Sequence, residues 1–271
     1  MTSEVPTRVA TTPGTPPVDI LVSEVFSAIQ GEAALVGERQ VFVRLTGCNI
    51  RCSYCDQPEA LEKQPGPCRI ERTPGRRDWD MGQSPLVAID LVEVVDRLWQ
   101  AFPHHSISLT GGEPLMQSGR LATLLPMLAS ADRPVMLETN GTLVPALRRA
   151  LPWLRYVSMD VKLTSVDGEH VDTATQRLFL ETALRSGVTT WVKVVMGPST
   201  DLSEFDDAVS MVAEVAADAG TSPEIYLQPV TPFVGTTAPS PAQVLELHER
   251  ALRRYPRVRV VPQTHKAIGQ L

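Results

Sequence analysis

Cysteine is scarce in this chain: four among 271 residues, with three of them inside one stretch of eight. Three thiols so close cannot all pair as disulfides, and this usage suits a reducing cytoplasm. No run of about 18 apolar residues occurs, so no membrane span is expected. There is no basic excess either. The net charge of -6 gives no global pull toward nucleic acid or an anionic membrane surface. Residues Met1 to Pro17 are rich in Thr and Pro and lack an apolar segment. They are expected to be a disordered tail and not a signal peptide. No repeat and no linker interrupts the remainder, so residues 18–271 are expected to form one domain. A hydrophobic content of 43% is ordinary for a globular protein and enough for a sizeable core.

What is present is an alternation of strand and helix patterns. Val18 to Phe26 is β-branched and roughly alternating, and Gln40 to Thr46 is a second strand with Arg44 between Val43 and Leu45. Glu59 to Pro85 has little periodicity, several Pro and Gly, and the basic residues Arg72, Arg76 and Arg77. It reads as a loop inserted over the stretch that precedes it. Ser84-Pro85 then reads as a helix start, with Leu91, Val95, Leu98 and Phe102 at helical spacing. Strands are predicted at 106–110, 134–139, 156–161, 189–196, 224–230 and 257–261. Helices are predicted between them. Repeated βα units build a parallel sheet with outer helices. Six repeats, from the strand of Arg44 to that of Leu227, fall short of the eight that close a TIM barrel. The expected fold is α/β: a partial, TIM-like (βα)6 barrel, open on one side, with its working loops at the C-terminal ends of the strands.

The loop after the Arg44 strand carries Cys48, Cys52 and Cys55 at a C-x3-C-x2-C spacing. Structural zinc takes four ligands in paired knuckles, and a second knuckle is missing here. Three cysteines on a [4Fe-4S] cluster leave one iron open to a further ligand. The competing reading is three packed thiols. Tyr54 before the last cysteine completes a C-x3-C-x-Φ-C pattern that resembles the signature of radical S-adenosylmethionine (SAM) enzymes. Cys68 is left over and reads as a loop thiol; a second cluster would need more cysteines than the chain has.

Other candidates sit at predicted strand ends. Thr110-Gly111-Gly112-Glu113-Pro114 joins two glycines, which let backbone approach a ligand, to an acceptor. Glu138-Thr139-Asn140-Gly141 offers a carboxylate for ribose hydroxyls, or is a plain turn. Ser158, Asp160 and Lys162 share one strand face. They bind a ligand or pair with each other. Gln228 either hydrogen-bonds adenine or caps its strand.

Longer segments extend the resemblance. Glu24 to Glu32, Phe42 to Cys52, Thr110 to Pro114, Glu138 to Gly141 and the tail Gln263-Thr264-His265-Lys266 are similar to 7-carboxy-7-deazaguanine synthases. The resemblance implies a radical SAM lyase that converts 6-carboxy-5,6,7,8-tetrahydropterin to 7-carboxy-7-deazaguanine with loss of ammonia, on the route to queuosine. It implies one [4Fe-4S] cluster on Cys48, Cys52 and Cys55, recycled SAM, Mg2+ and a homodimer. It also implies a flavodoxin or ferredoxin as electron donor. In such enzymes a reduced cluster cleaves SAM, and the resulting radical takes hydrogen from C6 of the pterin. Carried over, Arg44 would hold the substrate carboxylate. Ile29, Gln30, Gly31 and Glu32 would read the pterin edge, with Thr110 and His265 closing the pocket. SAM would fall to Tyr54, Cys55, Asp56, Gly111, Gly112 and Glu113, with Glu138, Ser158, Asp160, Lys162 and Gln228.

Two departures from the family pattern stand out. A threonine that ligates Mg2+ usually follows Cys-Asp; here it is Gln57, whose amide oxygen is the remaining candidate. The 59–85 insertion is the other. The alternatives carried forward are a glycyl-radical activating or peptide-modifying radical SAM enzyme, and a non-enzymatic metal-binding module.

Overall fold

Register, more than any single motif, decides which side chains of this protein meet. The computed structural model describes residues 18–64, 66–130, 132–232 and 236–270. The expected tail at 1–17 lies outside them. In chain order the strands are β1 (Asp19–Ile20), β2 (Val22–Ile29), β3 (Arg39–Leu45), β4 (Gly66–Glu71), β5 (Trp79–Ser84) and β6 (Leu86–Val87). They continue as β7 (Ser106–Gly111), β8 (Val135–Thr139), β9 (Tyr156–Val161), β10 (Thr189–Met196), β11 (Ile225–Pro229) and β12 (Val258–Val260). The helices are α1 (Ala88–Ala101), α2 (Ser118–Leu128), α3 (Val144–Ala150), α4 (Thr164–Asp167), α5 (Thr173–Arg185), α6 (Leu202–Asp218), α7 (Pro241–Leu252) and α8 (Thr264–Ala267).

The main sheet runs β12-β11-β10-β9-β8-β7-β3-β2-β4-β5. From β3 through β11 its neighbours are parallel, which gives the six βα repeats expected. Helix starts follow local chemistry. Asp172 and Asp201 accept backbone N–H groups of α5 and α6, and Ser240 with Gln243 forms a full capping box on α7.

Alternation sorts the strand residues onto two faces. Val41, Val43 and Leu45 of β3, Val157 and Met159 of β9, and Val192 and Val194 of β10 join the helices in one buried core. The opposite face looks into the curved sheet. There the cross-strand partners are Arg44 with Thr110, Glu138 with Ser158, and Asp160 with Lys193. Below them Met136, Trp191 and Tyr226 form a second apolar cluster, a floor under the polar layer.

Only the start of the 59–85 segment, at Ala60 and Leu61, packs on the cysteine loop; the larger part is not a loop. β4 and β5 form an antiparallel hairpin, and β4 adds in parallel to β2 at the sheet edge. Arg69 pairs with Glu24 and lies 5.2 Å from the Trp79 ring centroid. Buried Glu71 accepts the backbone N–H of Ser27 at 2.8 Å and that of Arg77 at 2.9 Å. Short strands full of Gly, Pro and Arg carry little periodicity, so the sequence hid them. β2 likewise runs on past Phe26, where the expected strand ended, through Ser27 to Ile29.

The C-terminal segment crosses to the first strands. The Thr264 N–H donates to the Gly31 carbonyl at 2.9 Å, and Arg77 donates to the Gly269 carbonyl. Gly31 permits this approach: a Cβ there would stand 2.1 Å from Nδ1 of His265.

Candidate active site

A cavity of about 230 Å³ opens at the C-terminal ends of the parallel strands. Cys48, Cys52 and Cys55 line it, and all three are free thiols. Their loop is held by backbone bonds from Gly47 to Ala60 and from Cys48 to Leu61, and by Ser53, whose N–H donates to the Asp167 carbonyl. The loop after β7 touches it as well. A Cβ on Gly112 would meet the Gly47 carbonyl oxygen at 2.4 Å, so only glycine fits. Burial pushes all three thiols up, and Cys52 to about 12. Cys68 lies apart, buried in β4.

On the side of β2 and β3 the cavity meets Ile29, Gln30, Gly31, Glu32 and Arg44, with Thr110 beside them and His265 on the C-terminal segment. Arg44 is 8% exposed, yet its Nε has no hydrogen-bond partner. The nearest carboxylate, Glu24, is 3.8 Å away and already paired with Arg69. Glu138 accepts from Gln30 at 3.0 Å, Ser108 at 3.1 Å and Thr110 at 3.1 Å. Burial and the charge of Glu32 push its carboxyl up. Burial lowers His265, which favours the neutral imidazole.

Opposite lie Tyr54, Asp56, Gly111, Gly112, Asp160, Lys162 and Gln228. Lys162 donates to Tyr54 Oη and to Asp160 Oδ2, both at 3.1 Å. Burial opposes the Lys162 charge, but Tyr54 and Asp160 outweigh it and hold the ammonium. Gln228 is 5% exposed and its Oε1 is unpaired. Two expected SAM residues do not reach the cavity. Glu113 is fully buried and spends its oxygens on the N–H groups of Leu115 and Asn140 and on the Thr139 hydroxyl. Ser158 shares the face of Asp160 but sits two residues deeper, beside Glu138.

Among the lining residues that the sequence did not single out as site residues are Lys193, Gln263 and Lys266. Lys193, in the middle of β10, donates to Glu32 Oε2 at 2.5 Å and lies 3.1 Å from Asp160 Oδ1. Burial raises the Glu32 carboxyl, but Lys193 and Gln263 bring it below the usual range. Gln263 donates to Glu32 Oε1 at 2.8 Å and reaches Asp56 at 3.3 Å, and Lys266 pairs with Asp56 at 2.8 Å. Lys193 bore the same signal that marked Arg44, a lone cation inside an apolar strand. Gln263 and Lys266 flank His265 in the tail.

This donor set fits a cluster with an organic ligand. Three thiols share one cavity with an unpaired buried amide oxygen, an acceptor for a ligand N–H group, and an unpaired guanidinium nitrogen. Among the described residues no three or more His, Cys, Asp or Glu are gathered as a single-ion site.

Comparison with known proteins agrees. Residues 42–212 match the Radical SAM superfamily. A 7-carboxy-7-deazaguanine synthase from Geobacter sulfurreducens is 41% identical over 253 residues, 92% of this chain and 97% of that protein. One from Methanothermobacter thermautotrophicus is 32% identical over 264 residues, 92% of this chain and 96% of that protein. The crystal structure of QueE from Escherichia coli shares the fold, with a TM-score of 0.59 at 22% identity over 90% of this chain and 94% of that one. Spanning nearly the full length of such relatives with the three cysteines on one cavity wall, the chain belongs to the radical SAM superfamily and, within it, to the 7-carboxy-7-deazaguanine synthases.

Proposed function

We propose that this enzyme converts 6-carboxy-5,6,7,8-tetrahydropterin to 7-carboxy-7-deazaguanine with release of ammonia. One observation carries the reading: the three thiols open into the same cavity as Arg44, Glu32 and His265. A [4Fe-4S] cluster on Cys48, Cys52 and Cys55 with SAM would supply reductive SAM cleavage and, from it, hydrogen-atom abstraction.

The chain's own residues do the rest. Arg44, whose Nε has no hydrogen-bond partner and whose nearest carboxylate is shared with Arg69, offers a fork to the substrate carboxylate. Glu32, kept ionised by Lys193 and Gln263, accepts from the pterin's amino and amide N–H groups. Gln30 is aligned for the same edge by Gln40 and Glu138. Thr110 and His265 narrow the opening and exclude water. Tyr54, Asp160 and Lys162, with the Gly111-Gly112 backbone, would hold the SAM amino-acid portion. Gln228 Oε1, unpaired, would accept from the adenine amino group. Gln57 is the residue that would offer Mg2+ an oxygen. The chain acts in the cytoplasm as a homodimer, residues 18–271 forming one domain, and takes electrons from a flavodoxin or ferredoxin. The alternative of a peptide substrate asks for an open groove, whereas here the C-terminal segment packs across Gly31.

The test is an anaerobic assay of reconstituted enzyme with SAM, dithionite and the carboxytetrahydropterin, with mass detection of product. SAM cleavage without the deazaguanine would overturn the substrate assignment and leave the radical SAM class intact.

A further inference from the structure

Beyond keeping Glu32 ionised, Lys193 also contacts Asp160. It is 7% exposed, and its ammonium stands between two carboxylates. Register puts it there, since Lys193 and Asp160 are direct partners across β10 and β9. Each carboxylate has its other oxygen engaged on its own side of the cavity. Asp160 Oδ2 accepts from Lys162, and Glu32 Oε1 accepts from Gln263. Glu32 is anchored further, because its N–H donates to the Gln30 side chain at 3.0 Å. Lys193 thus joins the last acid facing SAM to the first acid facing the pterin.

A buried ion triad contributes little to stability by itself, because desolvation offsets attraction. Its consequence is positional. Without the ammonium, the two carboxylates would face one another across the space Lys193 fills, with Glu138 also near Glu32, and Glu32 would swing or take up a proton.

We propose that Lys193 is a positioning residue that fixes Glu32 for the pterin and, through Asp160, couples substrate binding to SAM binding. This rests on the function proposed above. A ligand that orders Asp160 and Lys162 orders Glu32 through the shared ammonium, so each ligand tightens the other by the same factor.

The experiment is anaerobic calorimetry on cluster-loaded enzyme, titrating the carboxytetrahydropterin with and without SAM, then SAM with and without the pterin. Wild type is expected to show a coupling factor of about 5- to 150-fold, equal in both directions. Lys193→Gln is expected to bring the factor near one, with its fold and iron content checked by circular dichroism and iron assay. Lys193→Arg keeps the charge and is expected to retain coupling. A wild type without coupling, or unchanged coupling in folded Lys193→Gln, overturns the proposal. So does equal loss in the Gln and Arg variants, since charge would then be irrelevant. If Lys193→Gln does not fold, Glu32→Gln carries the test, and unchanged coupling there overturns it. A wild type that binds SAM but not the pterin refutes the proposed substrate instead.

Discussion

Glu113 Oε2 accepts the backbone N–H of Asn140 at 2.7 Å, which ties the loop after β7 to the loop after β8. The Thr139 hydroxyl lies 3.0 and 3.1 Å from the two carboxylate oxygens, and the Leu115 N–H donates at 3.0 Å. The glutamate of the Gly-Gly-Glu-Pro turn is therefore a brace behind the cavity. It sets the path of Gly111 and Gly112, whose backbone reaches the wall.

That brace titrates. Burial pushes the Glu113 carboxyl from the usual 4.5 up to about 7, against the pull of the donors around it. The folded state then keeps a proton that the unfolded chain loses near 4.5. Stability falls as pH rises through that window and is flat above it. The loss is about 3 kcal/mol, at roughly 1.4 kcal/mol per pH unit. Urea denaturation of wild type and Glu113→Gln at pH 4.5 and 7.5 isolates the effect. The wild type is expected to lose about that much relative to the variant; parallel curves would show that Glu113 is ionised throughout.

Cys48→Ala, Cys52→Ala and Cys55→Ala are each expected to abolish iron loading and SAM cleavage. Cys68→Ala is expected to keep both, because Cys68 is buried in the edge hairpin and outside the cavity. Iron and sulfide content with the visible spectrum of reconstituted protein decides the matter. A Cys68→Ala protein without a cluster would refute the assignment.

Arg44→Lys retains charge in a buried position near the C-terminal end of β3 but loses the two-pronged donor. Substrate affinity is expected to fall by about 1.5–3 kcal/mol, the usual worth of a hydrogen bond to a charged group. Binding is measured calorimetrically with SAM present. Unchanged affinity would mean that the carboxylate lies elsewhere.

Arg44 and Lys193 show how far the sequence could be read. Both are lone cations flanked by apolar residues in a strand. Arg44 was found because cysteines follow it at once, whereas Lys193 is followed only by Val194, Val195 and Met196. Its partners are 161 residues away in Glu32 and across the sheet in Asp160, and only register joins them. Periodicity gave the strands and helices of the βα repeats, because two-sided burial leaves long apolar runs. It failed at β4 and β5, where Gly66, Pro67 and Gly82 break any pattern and the hairpin is held by the edge of β2. Chain position did not reveal that the Glu113 side chain turns back onto Leu115 and Asn140, or that Ser158, on the expected face of β9, lies two residues too deep to reach the cavity.

The proposed Mg2+ site turns on Gln57. It follows Cys-Asp, where the resembled family has a threonine ligand to Mg2+. Its backbone carbonyl accepts the Ala60 N–H at 3.1 Å, its side chain makes no cap bond, and it lines the cavity. Asp56 beside it is already paired with Lys266 at 2.8 Å, and that ion pair competes with any cation. Burial raises the Asp56 carboxyl, but the Lys266 hydrogen bond and charge outweigh it and hold Asp56 ionised. A threonine hydroxyl stands on a short, stiff arm. The glutamine oxygen is two bonds farther out on a flexible one. Mg2+ demands near-ideal octahedral geometry at about 2.1 Å and releases water reluctantly. Mg2+ is therefore expected to stimulate wild-type turnover only weakly, and Gln57→Thr to make turnover more dependent on it. Rates with Mg2+ and with chelator, for wild type, Gln57→Thr and Gln57→Ala, measure this. Strong stimulation of wild type that disappears in Gln57→Ala would overturn the expectation, because the amide oxygen would then be a full ligand that displaces Lys266 from Asp56.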